Sequence, residues 1–284
     1  MHKNPLFKMI IRVMIAFLLC SNLSILASVT IHAKVQALSV KDQGELWVDE
    51  LSNQPDFANW KEAELTISPL GPGTHSWLML IQHSKLGNIG YMVIHSDDKG
   101  GYVLGEYGLG SDDSLQYLSS NRYQLRYYDP LHMVVSQQVN KTNQYFEPFS
   151  LEQYDISSKH LIAAKVSAQK QIRHGLVFSH ALLTGYEYQT YFAPYDVMPW
   201  LTTTALNSDF ENDTSIENLI EFGSQLRYTS SIWSDQIETI YSVTGYHEWE
   251  LFDLYIELQQ DDENLKRFIP FDYLLQQGNF YAPQ

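Results

Sequence analysis

Three histidines lie in or beside one segment of the chain, and their spacing raises the question of a metal site. His75, His83 and His95 fall within residues 74–110, and a hairpin there could bring His83 close to His95. Imidazole nitrogen is a common zinc ligand. The segment has no H-E-x-x-H motif and no carboxylate at ligand spacing. We therefore predict surface or loop histidines and no metal site.

Carboxylates and serines in the same segment suggest hydrolysis as a second kind of chemistry. Glu106 with Asp97 or Asp98 could form the acid–base pair of a glycosidase, but a sequence does not show how far apart two carboxyl groups lie. Ser76 and Ser96 each stand beside a histidine, without the G-x-S-x-G context of a nucleophile elbow. The sequence assembles no catalytic set. A cell-envelope hydrolase using His, Asp and Glu groups remains the alternative to a binding function.

Acidic clusters raise the question of calcium. Asp209, Glu211 and Asp213 alternate along the chain, as calcium ligands often do. The cluster lacks the glycine and the distal glutamate of an EF-hand loop. We predict a solvated loop and no cofactor, with structural calcium as the alternative.

The elements that must position these residues are strands of one meander. Apolar runs at residues 77–81, 91–94 and 102–104 are separated by turns rich in Gly, Asp and Asn, which is the pattern of β-hairpins. Such a sheet needs a cover on its apolar face. The predicted cover is a helix over residues 39–51, capped by Ser39, with Trp47 as its packing anchor.

The rest of the chain continues the same mixture of elements. We predict a brief edge strand at 65–67 and further strands at 123–128, 132–139 and 145–151, the last two joined by a hairpin turn at 140–143. We also predict helices at 157–172 and 214–226, and strands at 236–245, 248–259 and 266–271. The predicted fold class is therefore α+β, with antiparallel meander sheets and helices packed on one face. The predicted modules are residues 38–156 and 157–284.

An internal similarity suggests two similar halves. At an offset of 122 residues, Gln137 and Gln138 align with Gln259 and Gln260, and the F-x-P-F motif of residues 146–149 aligns with that of 268–271. Both motifs follow a strand and a polar turn. Duplication of a helix-plus-strands module is one explanation, and chance similarity between two hairpins is the other.

The N-terminal 37 residues have the composition of a secretory signal. Lys3, Lys8 and Arg12 precede a mostly apolar stretch at 13–31, and residues 35–37 offer small side chains at the −3 and −1 positions of a cleavage site. We predict a signal peptide over 1–37 and a secreted or extracytoplasmic protein. The alternative is an uncleaved anchor through residues 13–31, which would be the chain's one contact with a membrane.

Composition excludes several classes of function. The one cysteine, Cys20, lies in this apolar stretch, so residues 38–284 form no disulfide, cysteine nucleophile or thiolate metal site. The same 247-residue part carries 14 basic and 33 acidic residues, a net charge of −19. An anionic surface repels phosphate backbones, so we predict no nucleic-acid partner. It suits a cationic partner or calcium, or serves solubility alone.

Part of the meander resembles a known kind of module. Residues 90–94 (GYMVI) and 100–107 (GGYVLGEY) resemble the Gly-Tyr hairpins of PepSY-like and streptopain-type propeptide modules, within residues 39–110. The whole layout also resembles uncharacterised exported proteins of Gram-positive bacteria. The resemblance implies a binding or inhibitory module with a helix laid on an antiparallel sheet. The chain differs from those precursors in lacking a peptidase cysteine.

The sequence favours a non-enzymatic binding function over catalysis. The expected partner is an extracytoplasmic peptide or protein, engaged by the sheet or its edge through an open groove or an unpaired strand. The binding candidates in the meander are His75, Trp77, Tyr91 and Glu106. An aromatic segment at residues 186–200 is a second candidate surface, with core packing as its alternative.

Overall fold

The computed structural model describes residues 38–71, 75–97, 99–171, 177–178, 181–210, 215–250, 253–261 and 264–283. The predicted signal peptide or anchor, residues 1–37, lies outside these ranges. Residues 38–284 form one compact unit. Within the described ranges, no helix is both long enough and apolar enough to cross a membrane.

Helices and strands alternate irregularly along the chain. The α-helices are α1 (Val40–Leu51), α2 (Asp112–Leu115), α3 (Ser158–Gln171), α4 (Asn207–Phe210), α5 (Ile216–Glu221) and α6 (Phe271–Gln277), with 3-10 helices at Pro55–Glu62, Gln116–Leu118 and Pro199–Leu201. The strands are β1 (Glu64–Pro69), β2 (Ser76–His83), β3 (Gly87–Ser96), β4 (Tyr102–Leu109), β5 (Gln124–Asp129), β6 (His132–Val139), β7 (Thr142–Phe146), β8 (Gln153–Tyr154), β9 (Val177–Phe178), β10 (Leu183–Tyr188), β11 (Arg227–Ile232), β12 (Ile237–Trp249), β13 (Asp253–Gln259), β14 (Lys266–Pro270) and β15 (Asn279–Tyr281).

Two antiparallel meanders build the large sheet. Its order is β1-β2-β3-β4-β14-β13-β12-β11-β15, with β10 added beside β12 and β9 beside β4. The meanders β1–β4 and β11–β14 meet at their last strands, where Tyr107 pairs with Phe268. The predicted α+β class with antiparallel meander sheets is confirmed.

Helix α1 covers one face of the first meander, as its sequence pattern predicts. Ser39 caps the helix, and Asp42 completes a capping box by accepting from the Ser39 backbone N–H. Trp47 is buried against the sheet. Gly44 permits the close approach, because a Cβ there would overlap the Met79 methyl group.

A smaller sheet, ordered β5-β6-β7-β8, covers the opposite face. Successive residues of a strand point to opposite faces. On β3, Met92 packs in the cluster beneath α1, whereas Val93 packs with Tyr127 and Met133 of the smaller sheet. Strand β3 is thus buried on both faces. A third cluster packs against the second meander and includes side chains of helices α3 and α6.

The predicted break between strands near residues 246–247 is wrong. β12 runs unbroken to Trp249, with a register shift between Val243 and Gly245. A Cβ at Gly245 would collide with the Glu187 carbonyl oxygen of β10, so glycine lets a further strand pair there. The glycine marks a bulge within the strand and does not end it.

The duplication that the sequence suggests at an offset of 122 residues is wrong, because the two segments differ in topology. Residues 120–155 and 242–277 both contain three consecutive antiparallel strands, but they lie in different sheets. After the F-x-P-F motif the first window continues into β8, whereas the second continues into α6. Residues 64–109 and 227–270 each form a four-stranded antiparallel meander. Strands from both predicted modules, 38–156 and 157–284, therefore pair in one sheet.

Candidate functional site

The four predicted binding residues do not share one surface. His75 is exposed, with a positive φ of 50°, at the entry to β2. Trp77 is half-buried and packs edge-on against Tyr102, with ring centroids 5.6 Å apart. Tyr91 and Glu106 are fully buried. Because they face the core, they join a polar cluster inside the molecule.

Arg267 is the centre of that cluster. Its Nη2 donates to Glu106 Oε2 at 2.9 Å, and its Nε donates to Tyr91 Oη at 3.2 Å. Nη2 also donates to the Pro130 carbonyl oxygen, and the guanidinium lies 5.3 Å from the Phe149 ring centroid. Burial raises the pKa of Glu106, and the Arg267 charge opposes that rise. The cluster joins the large sheet to the smaller one.

A second polar cluster, centred on His247, lies on the α1 side of the sheet. The Nδ1 of His247 hydrogen-bonds with Tyr107 Oη at 2.7 Å, and its Nε2 with Tyr188 Oη at 2.5 Å. The ring stacks on Phe268 at a centroid distance of 4.3 Å. Burial lowers the pKa of His247 to about 3. The imidazole is therefore neutral at ordinary pH.

Lys266 borders the His247 cluster and is held between two carboxylates. Its Nζ lies 2.7 Å from Asp56 Oδ2 and 3.3 Å from Glu257 Oε1, and 5.2 Å from the Tyr188 ring centroid. Glu257 is fully buried, and burial raises its pKa while Lys266 opposes the rise. The lysine charge is thus paired within the molecule, where it links strand β14 to the 3-10 helix that contains Asp56.

Ser76 contacts His95 of the neighbouring strand, a pair that the sequence analysis did not single out. Ser76 Oγ lies 2.6 Å from His95 Nδ1 across β2 and β3. Burial lowers the pKa of His95 to about 4, so the imidazole is neutral. Gly105 leaves room for the ring, because a Cβ there would overlap His95 Nε2.

The possible approach of His83 to His95 is not made in the structure, and the prediction of surface or loop histidines is wrong for His95, which is buried in β3. His83 pairs with Gly87 at the turn end of the β2–β3 hairpin, whereas His95 pairs with Ser76 at the other end. Ser76 and His83 are seven residues apart on β2, which is about 23 Å of strand. Among the described residues, no group of three or more His, Cys, Asp and Glu side chains is placed to hold a metal ion.

An open groove lies between α1 and the start of β1. Its volume is about 570 Å³. Its lining combines exposed charged side chains of α1 with apolar side chains below them. The lining residues are Leu38, Lys41, Asp42, Glu45, Leu46, Val48, Asp49, Trp60, Lys61, Ala63, Glu64 and Leu65.

Strand β1 beside this groove has an unpaired outer edge. It pairs with β2 on one side and ends the sheet on the other. Leu70 N donates to Ser76 O in the same register, so positions 64, 66 and 68 also bond to β2. The backbone N–H and C=O groups of Leu65 and Ile67 therefore point outward, where they have no hydrogen-bond partner among the described residues. Pro69 is the next outward-pointing position, and it has no N–H to donate. This edge therefore offers fewer hydrogen bonds at its C-terminal end.

Sequence reasoning found the edge strand but missed the groove. The run at 65–67 predicts a brief edge strand, and α1 is capped as expected. The groove depends on the packing of α1 beside β1, and no local pattern shows that arrangement. The aromatic segment at 186–200 is divided: Tyr186 and Tyr195 are exposed, whereas Phe192 is buried beneath Arg227.

Comparison of the chain with protein-family models, with curated proteins and with solved structures finds no match.

Proposed function

We propose that the chain is an exported, non-enzymatic binding protein that takes up an extended segment of a peptide or protein at the outer edge of β1. The observation that carries this proposal is the outward-pointing backbone of Leu65 and Ile67 beside an open groove. An unpaired edge strand is a template for a further strand. The predicted signal at residues 1–37 supports export.

Strand addition would use the two elements together. The backbone of the bound segment would exchange hydrogen bonds with Leu65 and Ile67, each contributing about 1 kcal/mol. Alternate side chains of that segment would point toward α1 and into the groove, because strand side chains alternate between faces. Backbone pairing would supply affinity, and the groove would supply selectivity.

A matched pair of variants tests the use of this edge. Ile67→Pro removes the outward N–H and leaves the bonds to β2 intact, because position 67 does not bond to β2. Ile67→Ala shortens the same side chain and keeps the N–H. The probe is a dodecapeptide selected from a random phage-displayed library against residues 38–284.

The expected result is that the selected peptide protects amides 65 and 67 from hydrogen exchange. Ile67→Pro should weaken binding about tenfold relative to Ile67→Ala, provided both variants retain the wild-type circular dichroism spectrum. Selected peptides that bind both variants equally, or that protect other segments, would overturn the proposal. A library that yields no binder would also count against it.

The Ser76–His95 contact supports one alternative, a serine-dependent hydrolase. The neutral imidazole at 2.6 Å could accept the hydroxyl proton. Labelling of the wild type by a fluorophosphonate probe, absent in Ser76→Ala, would support this alternative. No labelling of the folded wild type would remove it.

A further inference from the structure

We infer that the groove beside β1 selects a cationic strand, with Lys or Arg at alternate positions of the bound segment. The inference rests on the proposed function, because the strand must first add to β1. It specifies the chemistry of the partner, which the unpaired edge alone does not.

The charged residues of the groove favour a cation. Four acidic residues line it against two basic ones, a net charge of −2. Lys41 is already paired with Glu45 at 3.6 Å. Asp49 of α1 has no ion-pair partner among the described residues. An incoming Lys or Arg would therefore meet an excess of carboxylates, and Asp49 among them has no cation beside it in the described part of the molecule.

The apolar residues of the groove match the stem of a long basic side chain. Leu46 is 43% exposed, and Trp60, Ala63 and Leu65 also line the groove. Lysine and arginine bury their methylene stems on apolar surface while the charged end remains near water or a carboxylate. A groove with an apolar floor and an acidic rim suits both parts of such a side chain.

Charge also argues against a second copy of this chain as the occupant. Residues 38–284 carry a net charge of −19. Pairing two β1 edges would bring two acidic grooves together, and like charges placed side by side cost stability. The negative electrostatic field of these residues attracts a cationic partner and accelerates its association at low ionic strength.

The strand geometry sets the spacing of the basic side chains. Side chains on one face of a strand recur every second residue, about 6.8 Å apart. Two basic residues at positions i and i+2 would both point toward α1. Both can approach the acidic side chains that α1 contributes to the groove, Asp42, Glu45 and Asp49. Glu64 alternates with Leu65, which packs on the α1 side, so the Glu64 side chain lies on the other face of β1.

Three synthetic peptides with a common Thr/Val host sequence test the charge preference. They differ at positions i and i+2, which carry Lys, Gln or Glu, and their dissociation constants are measured by fluorescence anisotropy at low and at high salt. We expect the Lys peptide to bind about five- to tenfold more tightly than the Gln peptide at low salt, as two exposed ion pairs would provide. The Glu peptide should bind most weakly, and salt should reduce the difference.

Charge-reversal variants test the location. Glu45→Lys/Asp49→Lys should reverse the order of the Lys and Glu peptides. Glu152→Lys/Asp155→Lys makes the same change in net charge at exposed positions at or near β8, outside the groove, and should keep the wild-type order. An equal effect of both double variants would mean that general attraction, and not the groove, selects the peptide, and would overturn the inference.

The outcomes separate this inference from the proposed function. Lys and Gln peptides of equal affinity, both weakened by Ile67→Pro, would overturn the charge preference and leave strand addition standing. Binding of all three peptides that Ile67→Pro does not weaken would overturn strand addition, and the inference with it. No binding by any of the three, while library-selected peptides do bind, would also overturn the cationic preference.

Discussion

Arg267 donates from Nη2 to Glu106 Oε2 at 2.9 Å, and this buried ion pair joins the last strands of the two meanders. Glu106 lies on β4 of the first meander, and Arg267 lies on β14 of the second. Both side chains are buried. A buried pair of this kind adds little net stability over an apolar pair, but the loss of one partner is costly because a charge remains in the core.

We therefore predict that Arg267→Met destabilises the protein by about 3–5 kcal/mol. The variant leaves Glu106 without its cation and removes the donors to Tyr91 and Pro130. Chemical denaturation followed by tryptophan fluorescence measures the free energy of unfolding.

The matched control is the double variant Arg267→Met/Glu106→Leu. It removes both charges, so it should recover at least half of the loss, because an apolar pair can replace a buried ion pair. If the double variant is less stable than Arg267→Met by the full cost of a second core substitution, the two residues are not coupled as the structure indicates.

The pairing of β4 with β14, which joins the two meanders, could not be predicted from the sequence, although several of the strands themselves could. The runs of β2, β3 and β4, the Ser39 cap and the turn at Asn140 and Lys141 follow from local pattern. The pairing of Glu106 with Arg267 joins residues 161 positions apart. No local propensity specifies such a pairing, which results from packing of the whole sheet.

For His247 we predict a contribution to stability that depends on pH. Its pKa is lowered to about 3 in the folded protein, whereas an unfolded histidine titrates near its ordinary value of 6.5. Between these values the unfolded state binds more protons, so the contribution is complete above pH 6.5 and is lost as pH falls toward 3. The expected slope from this one group is about 1.4 kcal/mol per pH unit near pH 5.

The variant His247→Phe isolates that slope. It keeps an aromatic ring against Phe268 and removes the titrating group and the bonds to Tyr107 and Tyr188. It should be less stable than the wild type at pH 7, and the difference should shrink between pH 6 and pH 4. A difference that stays constant over this range would mean that His247 does not remain neutral in the folded state.

Gly44→Ala tests the close contact between α1 and the sheet. Alanine normally favours a helix over glycine by about 1 kcal/mol. Here the added Cβ would overlap the Met79 methyl group, so we expect a net loss of about 1–3 kcal/mol, as for overpacked cores. Thermal unfolding measures the loss, and Gly44→Ala/Met79→Ala should relieve the overlap. A stabilised single variant would show that α1 packs less closely than in the structure.

Lys266 contacts Asp56 and Glu257, and the two carboxylates differ in burial, which predicts unequal effects of their loss. Asp56 is partly exposed, so Asp56→Asn should cost less than about 1 kcal/mol. Lys266→Met instead leaves the fully buried Glu257 without a cation, and should cost about 3 kcal/mol at pH 8.

The loss in Lys266→Met should also depend on pH, and like the loss in His247→Phe it should shrink as pH falls. Burial raises the pKa of Glu257, and removing the lysine charge raises it further. A group with a raised folded pKa contributes stability that is present below its unfolded pKa and is lost as pH rises through the folded value. The difference between wild type and Lys266→Met should therefore be smaller at pH 5 than at pH 8, in denaturation curves at both values. Equal losses at the two pH values would show that Glu257 does not take up a proton when Lys266 is absent.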